Sequence, residues 1–273
     1  MSSTKGELKE EQIFNEFSIS RNLSTEVIGK PVIFKEKTIS TQIDAHKLAK
    51  EGAEHGTIVI ANEQTGARGR LNRPWHSVRN KAISMSLILR PNIPAHLAPK
   101  LTLFTATVLS KALSNLTKEQ IQIKWPNDLL INGKKFVGIL TEMHVQKSSV
   151  DYLVIGMGIN VNYTNNDLPM ATKYPTTSLF IETGKQWNLS TCIQAVLKQF
   201  EVDFPLFLKE GFSAFKSEWE QNAYKLGEQL YINDFKRKWY GRFKGITEDG
   251  ALSVENEFGK IESIYSAEIE WYS

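Results

Sequence analysis

Three arginines share one short loop with two glycines. In the stretch TGARGRLNRPW, Arg68, Arg70 and Arg73 follow or flank Gly66 and Gly69. Guanidinium groups bind phosphate and carboxylate through paired hydrogen bonds, and glycine lets backbone N–H groups come close to a ligand. Because like charges repel at this spacing, we expect the loop to bind an anion, most simply a phosphate or an acyl phosphate. The alternative that stays open is a solvated basic loop.

A second set of charged and amide side chains lies in KWPNDLLINGKK. Here Lys124, Asn127, Asp128 and Lys135 belong to one strand–turn–strand unit. A carboxylate such as Asp128 suits a cation, including Mg²⁺, and an ammonium such as Lys135 suits a carboxylate or a phosphate. The plainer interpretation is a surface hairpin with ordinary lysines. The Asn132-Gly133 pair is a strong two-residue hairpin signal, so antiparallel strands should flank it.

Glycines also interrupt two apolar segments. Gly138 lies inside FVGIL, and Gly156 and Gly158 lie in IGMGINVN, which we expect to run from a strand into a turn. Glycine inside a strand indicates the close approach of backbone or ligand. Position 161 is Val, so the third glycine of a dinucleotide fingerprint is missing, and the chain contains no Walker A sequence. Asn160 is a candidate for hydrogen bonding to a nucleotide, with a structural glycine bend as the alternative.

Composition narrows the class of protein. The 273 residues carry 33 Lys and Arg against 30 Asp and Glu, so the net charge of +3 does not by itself indicate nucleic-acid binding. The single cysteine, Cys192, excludes an internal disulfide. The first residues, MSSTKGELKEEQIF, lack the apolar core of a signal peptide, and no apolar stretch approaches the roughly 20 residues of a membrane helix. We expect a soluble, cytoplasmic protein.

The elements that must position these groups can be predicted from periodicity. We expect residues 1–30 to form a polar tail with a short helix around Glu11–Phe17. A second helix is expected to begin at Ser40 or Thr41, because Asp44, three residues after Thr41, completes a capping box. Further helices are predicted in two segments, one from residue 97 to about 116 and one from Ser190, as cap, to about 208. Strands are predicted at VIFKEK, GTIVIAN, AISMSLILR, IQIKW, on both sides of the Asn-Gly turn, and at YLVIGMGINV.

After about residue 224 the pattern changes to short strands separated by turns. The segments are EQLYIN, KRKWYGRFKGI, ALSVEN, GKIESIY and EIEWY. Five strands within about 50 residues predict a small all-β barrel. The whole chain is therefore expected to be α+β, with a large domain built on a mixed or antiparallel sheet and a small C-terminal barrel.

Taken in order along the chain, these motifs resemble those of biotin–protein ligases. The order is Ser40-Thr41-Gln42, EQTGARGRLNRPW, KWPNDLLINGKKFVGILTE, IGMGINVN and a final YSAEIEW. The resemblance runs from about residue 31 to the C-terminus. It implies a class II aminoacyl-tRNA-synthetase-like catalytic domain over residues 31–224, which follows the tail of residues 1–30, and an SH3-like β-barrel over residues 225–273.

Four positions depart from the family pattern. Gln42 stands where the family usually has Asn, and Ala67, Asn72 and Ala267 stand where it has Gly. Asn tolerates the left-handed backbone conformation, so the change at position 72 should be mild. Ala67 fits if its φ is negative.

The resemblance implies a two-step reaction and its site residues. ATP activates biotin to biotinyl-5′-AMP with the help of Mg²⁺, and the biotinyl group is then transferred to a lysine of a biotin carboxyl carrier protein. Arg70, Lys135 and Asp128 would be catalytic. The implied biotin-binding residues are Ser40, Thr41, Gln42, Gln64, Arg68, Gly69, Arg70, Lys135 and Gly138. The implied nucleotide-binding residues are Arg70, Arg73, Trp75, Asn127 and Asn160, and the sequence leaves the metal ligands unknown.

Other functions are less well supported by the sequence. A lipoate or octanoate ligase shares the architecture, but it would normally carry an Arg-Arg-x-Ser-Gly-Gly-Gly type of loop, which this chain lacks. A non-enzymatic nucleic-acid-binding protein conflicts with the near-neutral charge. About 30 residues precede the catalytic region, so we predict no DNA-binding repressor role. No nucleic acid or membrane partner is expected, and the resemblance allows a homodimer.

Overall fold

The computed structural model describes residues 14–146, 149–169 and 174–271. The helices in these residues are α1 (Glu16–Ser20), α2 (Thr41–Lys50), α3 (Ala98–Thr117), α4 (Leu179–Thr183), α5 (Leu189–Glu210) and α6 (Ser213–Gln221). The strands are β1 (Val32–Thr38), β2 (Ile58–Gln64), β3 (Ala82–Leu89), β4 (Ile121–Lys124), β5 (Asp128–Ile131), β6 (Lys134–Gln146), β7 (Ser149–Asn160), β8 (Gln229–Asn233), β9 (Lys238–Ile246), β10 (Leu252–Glu255), β11 (Ile261–Ile264) and β12 (Glu268–Trp271).

Seven strands form one mixed sheet in the order β1-β2-β3-β7-β6-β5-β4. The β1–β2 pair is parallel, and the remaining pairs are antiparallel. This confirms the predicted α+β class and the mixed sheet. The two long central strands, β6 and β7, reach beyond the ends of the neighbouring strands. They also contain two of the sequence motifs.

Helices cover both faces of this sheet. The long helices α3 and α5 pack on each other and on one face, where the odd-numbered residues of β3 and β7 are buried in the main apolar core. Helix α2 packs on the other face against β2, β3 and β7. The predicted apolar face of β3 is therefore confirmed, and its opposite face is buried as well because α2 lies over it.

The hairpin between β5 and β6 turns at Asn132 and Gly133, as predicted. Their φ angles are 50° and 72°, so both residues adopt the left-handed conformation that a two-residue hairpin turn requires. A β-bulge follows, because Leu129 pairs with Val137 whereas Leu130 pairs with Lys135. The extra residue changes the alternation of side chains along β6.

Two predicted helix caps are wrong. Helix α5 is capped by Asn188, whose side chain accepts from the backbone N–H of Thr191 at 3.0 Å, and Ser190 lies inside the helix. Helix α2 begins at Thr41 as expected, but Ser40 makes no side-chain capping bond. The Thr41–Asp44 box does not form, because the Asp44 carboxylate accepts from Thr38 at 2.6 Å instead.

Two further expectations are corrected. IGMGINVN contains no turn at its glycines, because β7 continues through them to Asn160 and pairs with strands on both sides. The helix expected around Glu11–Phe17 is found at Glu16–Ser20, and residues 11–13 lie outside the described part of the chain. Helices α4 and α6 were not predicted from the sequence.

The C-terminal strands form a separate antiparallel sheet in the order β11-β10-β9-β8-β12. All five predicted strands are present. Within the residues that the structure describes, the end strands β11 and β12 pair with one neighbour each, so the predicted barrel is not closed. Across the described ranges, no helix combines the length and apolar character that crossing a lipid bilayer demands.

Candidate functional site

A cleft opens on the α2 face of the large sheet and extends to the C-terminal sheet. Residues from eight separate segments line it, and they bring together the Arg loop, the KWPND turn and the start of α2. The lining includes nearly all of the site residues predicted from the sequence, namely Ser40, Thr41, Gln42, Gln64, Arg68, Gly69, Arg70, Arg73, Trp75, Asn127, Asp128, Lys135 and Gly138.

Uncharged polar side chains gather at one end of the cleft. The backbone N–H of Thr41 donates to Gln64 Oε1 at 2.8 Å, and the Thr41 hydroxyl lies 2.9 Å from the hydroxyl of Ser86. Ser86 in turn donates to Gln42 Oε1 at 3.0 Å. Thr41, Gln42 and Ser86 are buried, so this end resembles a protein interior with a few fixed polar atoms.

The floor of the cleft consists of small residues on adjacent strands. On the face opposite the main core, Ser86 of β3 pairs with Gly156 of β7, and Gly138 of β6 pairs with Gly158 of β7. A Cβ atom added at Gly156 would lie 2.6 Å from Gln42 Oε1. These positions therefore need small residues because other side chains of the site occupy the space above them.

Trp75 lies flat on this floor. Added Cβ atoms at Gly138 and Gly158 would come within 2.8 Å and 2.4 Å of its ring. Its indole N–H is buried and has no hydrogen-bond partner among the described residues. This nitrogen lies against the floor, because a Cβ atom added at Gly158 would be 2.6 Å from it.

The Arg loop contains two consecutive residues in the left-handed conformation. Leu71 and Asn72 have φ values of 57° and 58°, and the N–H of Gly69 donates to the carbonyl of Arg73 at 2.8 Å. Asn72 thus adopts the left-handed conformation where the family has Gly. Ala67 and Ala267 are not among the described residues with positive φ, so Ala fits at both positions.

Charged side chains gather at the other end of the cleft. Lys135 Nζ lies 2.7 Å from Asp128 Oδ1, and Arg70 Nη1 donates to Asn127 Oδ1 at 3.3 Å. The Asn127 amide donates to the carbonyl of Ile139 at 2.9 Å, which fixes the amide on β6. Asn127 therefore orients Arg70.

The bulge in β6 explains how Lys135 reaches this group. Without the extra residue, Lys135 and Val137 would alternate onto the core face, away from Gly138. With it, Phe136 and Val137 are both buried in the core, and Lys135 shares the cleft with Gly138. The backbone of Lys135 is also bonded to the segment at Pro175 and Thr177, at 2.8 and 2.9 Å.

The charges at this end affect Arg70. Desolvation lowers the pKa of Arg70, the nearby Asp128 carboxylate opposes that shift, and the positive charge of Arg73 adds to it. Because a guanidinium remains protonated in proteins, the consequence is a partly desolvated cation with a strong field toward an incoming anion.

The C-terminal sheet supplies one wall of the cleft, which was not predicted from the sequence. Glu268 of β12 forms an ion pair with Arg73. The hydroxyl of Tyr174 donates to the carbonyl of Ile269 at 2.8 Å, and Lys124 Nζ lies 3.2 Å from the centre of the Tyr174 ring. These contacts join the Arg loop and the KWPND turn to the second sheet.

One predicted site residue lies elsewhere. Asn160 is buried at the end of β7, where its amide donates to the carbonyl of Thr177 at 3.1 Å, and it does not line the cleft. Conversely, Ser86, Tyr174 and Glu268 line the cleft but were not predicted. Ser86 could have been found, because serine and glycine alternate with large apolar residues in both AISMSLIL and LVIGMGIN.

The cleft does not form a ready-made metal cage. In the described part of the chain, no group of three His, Cys, Asp or Glu side chains is arranged to hold a metal ion. The cleft carboxylates Asp128 and Glu268 are each paired with a cation. A donor set of this kind suits Mg²⁺ that enters with a phosphate substrate, because Mg²⁺ needs only one or two protein carboxylates there.

Two family models match the chain. The biotin/lipoate A/B protein ligase family matches residues 33–160, and the biotin protein ligase C terminal domain matches residues 227–272. The first range contains the α2, Arg-loop and KWPND segments of the cleft, and the second contains its C-terminal wall.

Curated proteins and solved structures are similar over most of the chain. The bifunctional ligase/repressor BirA of Bacillus spizizenii is 41% identical over 256 residues, which is 94% of this chain and 78% of that protein. The biotin–[acetyl-CoA-carboxylase] ligase of Paracoccus denitrificans is 31% identical and covers 82% of this chain and 94% of its own. The biotin protein ligase from Aquifex aeolicus in complex with biotin and ATP superposes with a TM-score of 0.75 at 31% identity, over 88% of this chain and 98% of that one.

Proposed function

The chain belongs to the biotin protein ligase family, and we infer from this membership and from the cleft that it activates biotin with ATP and transfers it to a protein lysine. The first step forms biotinyl-5′-AMP and pyrophosphate. In the second step, the lysine amine of a biotin carboxyl carrier protein attacks the acyl phosphate, and AMP leaves. The chain is thus a ligase that forms a C–N bond.

One observation carries this proposal: one end of the cleft is small, polar and uncharged, and the other end is strongly charged. Trp75 lies in the same cleft, over Gly138 and Gly158, with solvent on its other side. Biotin has a neutral polar ureido ring at one end and a carboxylate at the other. We place the ureido ring beside Thr41 and Gln64, with Ser40 and Arg68 next to it. The carboxylate then points toward the cations.

The charged end suits the first step. The carboxylate of biotin and the α-phosphate of ATP are both anions, and they must meet. Arg70 and Lys135 oppose that repulsion, and their effect is strongest where water is excluded. Mg²⁺ would add positive charge to the phosphates, with Asp128 as the protein carboxylate nearest to it. Arg73, Trp75 and Asn127 remain our candidates for the nucleotide side, with Asn127 acting through Arg70, whereas Asn160 lies outside the cleft.

The second step needs an intermediate that water does not reach. The Arg loop contains Gly69 and the two left-handed residues Leu71 and Asn72, and it is exposed at Leu71. Such a loop can move as a unit and cover the acyl phosphate. We place Gly69 along the acyl phosphate and Asp128 near the incoming lysine.

The test is a transfer assay with labelled biotin, Mg·ATP and a biotin carboxyl carrier domain. We expect the label on one lysine of the carrier and none when that lysine is replaced by Arg. Competition between biotin and lipoate in ATP–pyrophosphate exchange is the control that distinguishes a biotin ligase from a lipoate ligase. Exchange that depends on lipoate rather than biotin would reject the proposed substrate.

Further expectations remain proposals. We place the catalytic domain at residues 31–224 and the C-terminal domain at residues 225–273, and we expect a cytoplasmic enzyme able to form a homodimer. The Bacillus spizizenii relative is named a ligase/repressor. A gel-shift assay would test this chain for sequence-specific DNA binding.

A further inference from the structure

We propose that Ser86 and Gln42 are positioning residues that fix the hydroxyl of Thr41 as a hydrogen-bond acceptor toward the substrate, so that the cleft selects a ring N–H at that point. This inference rests on the proposed function, because it concerns how the ureido ring is recognised. It assigns a role to Ser86 and gives Gln42 a role other than direct contact.

The neighbours of the Gln42 amide fix its orientation. Its Nε2 lies 3.1 Å from the carbonyl oxygen of Val154 and 2.9 Å from Glu142 Oε2. Both neighbours can only accept hydrogen bonds at the pH where Glu142 is ionised, and the pKa of Glu142 is lowered, chiefly by its hydrogen bond with His46. The nitrogen of the amide must therefore face them, and Oε1 must face Ser86.

The direction of the Ser86 hydroxyl follows from this. Gln42 Oε1, 3.0 Å away, has no hydrogen to give, so Ser86 donates its only hydrogen to it. Ser86 is fully buried, and its other polar neighbour is the Thr41 hydroxyl at 2.9 Å. Ser86 can meet Thr41 only with a lone pair, so Thr41 must be the donor in that contact.

The hydrogen of Thr41 is thus used within the protein. Its other polar neighbour, Gln64 Oε1 at 3.2 Å, is also an acceptor, because it already receives the backbone N–H of Thr41. Whichever of the two receives the hydrogen, Thr41 Oγ1 presents only lone pairs to a ligand. Gln64 keeps its Nε2 as a donor beside it. An acceptor next to a donor is complementary to the N–H and C=O edge of a cyclic urea.

The experiment compares biotin with its two cyclic carbamate analogues, in each of which one ring N–H is replaced by oxygen. We measure KM for all three in biotin-dependent ATP–pyrophosphate exchange. For the wild-type chain, we expect one analogue to have a KM at least about tenfold above that of biotin, because two acceptors then face each other. In Thr41→Val this discrimination should vanish, because the facing oxygen is gone.

The decisive variants are Ser86→Ala and Gln42→Leu. The first removes the acceptor of the Thr41 hydrogen, and the second lets Ser86 donate to Thr41 instead. In both variants the Thr41 hydrogen keeps only its longer contact, 3.2 Å to Gln64 Oε1, so it can also turn to the ligand, and we expect the analogue-to-biotin KM ratio to fall at least about threefold. Ser84→Ala is the matched control, because Ser84 is buried on the same face of β3 and contacts Ser77 instead. It should keep the wild-type ratio.

Each outcome decides the inference. A wild-type ratio near one for both analogues, or an unchanged ratio in the folded Ser86→Ala and Gln42→Leu variants, overturns it. Thermal melting identifies a variant that fails to fold, and the other variant then decides. Absence of any biotin-dependent exchange in the wild-type chain rejects the proposed function itself, which is a separate result.

Discussion

The charged end of the cleft depends on a few side chains held by their neighbours. Lys135 is fixed by its pairing with Asp128 and by backbone bonds to the segment at residues 175–177. Arg70 is oriented by Asn127. Preorganised cations of this kind contribute to catalysis because they need no rearrangement when charge develops on the reacting groups.

Lys135→Ala should therefore slow the first step much more than it weakens the fold. Loss of one charged donor costs about 2–3 kcal/mol of transition-state stabilisation, which is roughly a 30- to 150-fold fall in kcat/KM for adenylation. Single-turnover formation of biotinyl-5′-AMP measures it. Lys134→Ala is the matched control, since Lys134 pairs with Glu182 outside the cleft lining. A near-normal rate in Lys135→Ala would remove Lys135 from the mechanism.

A second residue-scale prediction concerns acid stability. The ammonium of Lys81 and the hydroxyl and N–H of Thr164 lower the pKa of Asp167 to about 2, from an ordinary value of 3.8. A lowered pKa stabilises the fold above the unfolded value and loses that effect as pH falls through the folded value. Asp167→Asn should thus cost roughly 1–2 kcal/mol in urea unfolding at pH 6.

That difference should shrink as the pH falls from about 4 to about 2, because the wild-type carboxyl then becomes protonated as well. The same substitution in a Lys81→Met chain should cost less at pH 6, since the main partner of the carboxylate is gone. A cost that is independent of pH would show that the ion pair is not its source.

At the scale of elements, the central strands serve two purposes at once. The odd-numbered residues of β3 and β7 build the main core, whereas Ser86, Gly156 and Gly158 on their other face, with Gly138 of β6, leave space for the site. The strict period of two in a β-strand makes this division possible. The IGMGIN motif is therefore a strand segment with no side chains at its two glycines, rather than a nucleotide-binding turn.

Gly158→Ala should displace Trp75, because the added Cβ would lie 2.4 Å from its ring. The Trp75 loop can move, so we expect little change in thermal stability but a rise in KM for Mg·ATP of roughly tenfold, equivalent to an overpacking cost of about 1–2 kcal/mol. In a Trp75→Ala chain the same substitution should have little further effect. Additive effects of the two changes would indicate that they act independently.

Local sequence patterns were sufficient for the strands, the Asn132-Gly133 turn and most of the cleft. These features depend on periodicity, on turn chemistry and on motifs that resemble a known family. The bulge that turns Lys135 into the cleft was not predictable, because a bulge depends on the register between two strands. The pairing of Glu268 with Arg73 was not predictable either, since it joins residues far apart in sequence.

At the scale of the whole molecule, the two sheets meet at the cleft. The indole N–H of Trp125 donates to the carbonyl of Gly250 at 3.2 Å, and Glu220 Oε1 accepts from the N–H of Ile246 at 3.0 Å. With the Arg73–Glu268 pair, these bonds hold the C-terminal sheet against the KWPND turn, helix α6 and the Arg loop. The second sheet is thus part of the site.

Glu268→Gln tests whether this contact restrains the Arg loop. Glu268 places a negative charge beside incoming phosphates and neutralises Arg73. We therefore expect the variant to lower KM for Mg·ATP by a few fold. The change in stability should stay below about 1 kcal/mol, because Arg73 is half-exposed. The exchange assay at several salt concentrations measures it, since salt should weaken the effect. A higher KM would mean that Glu268 holds Arg73 in its working position.

The glycine floor of the cleft also limits how this protein can be improved. Replacement of glycine by alanine inside a strand is a common way to gain stability, because it restricts the unfolded chain and adds apolar contacts. At Gly138, Gly156 and Gly158 this replacement should not increase stability, since each added methyl group would enter space occupied by Trp75 or Gln42. Selection for heat resistance should therefore retain these three glycines. Stabilising substitutions should occur away from the cleft.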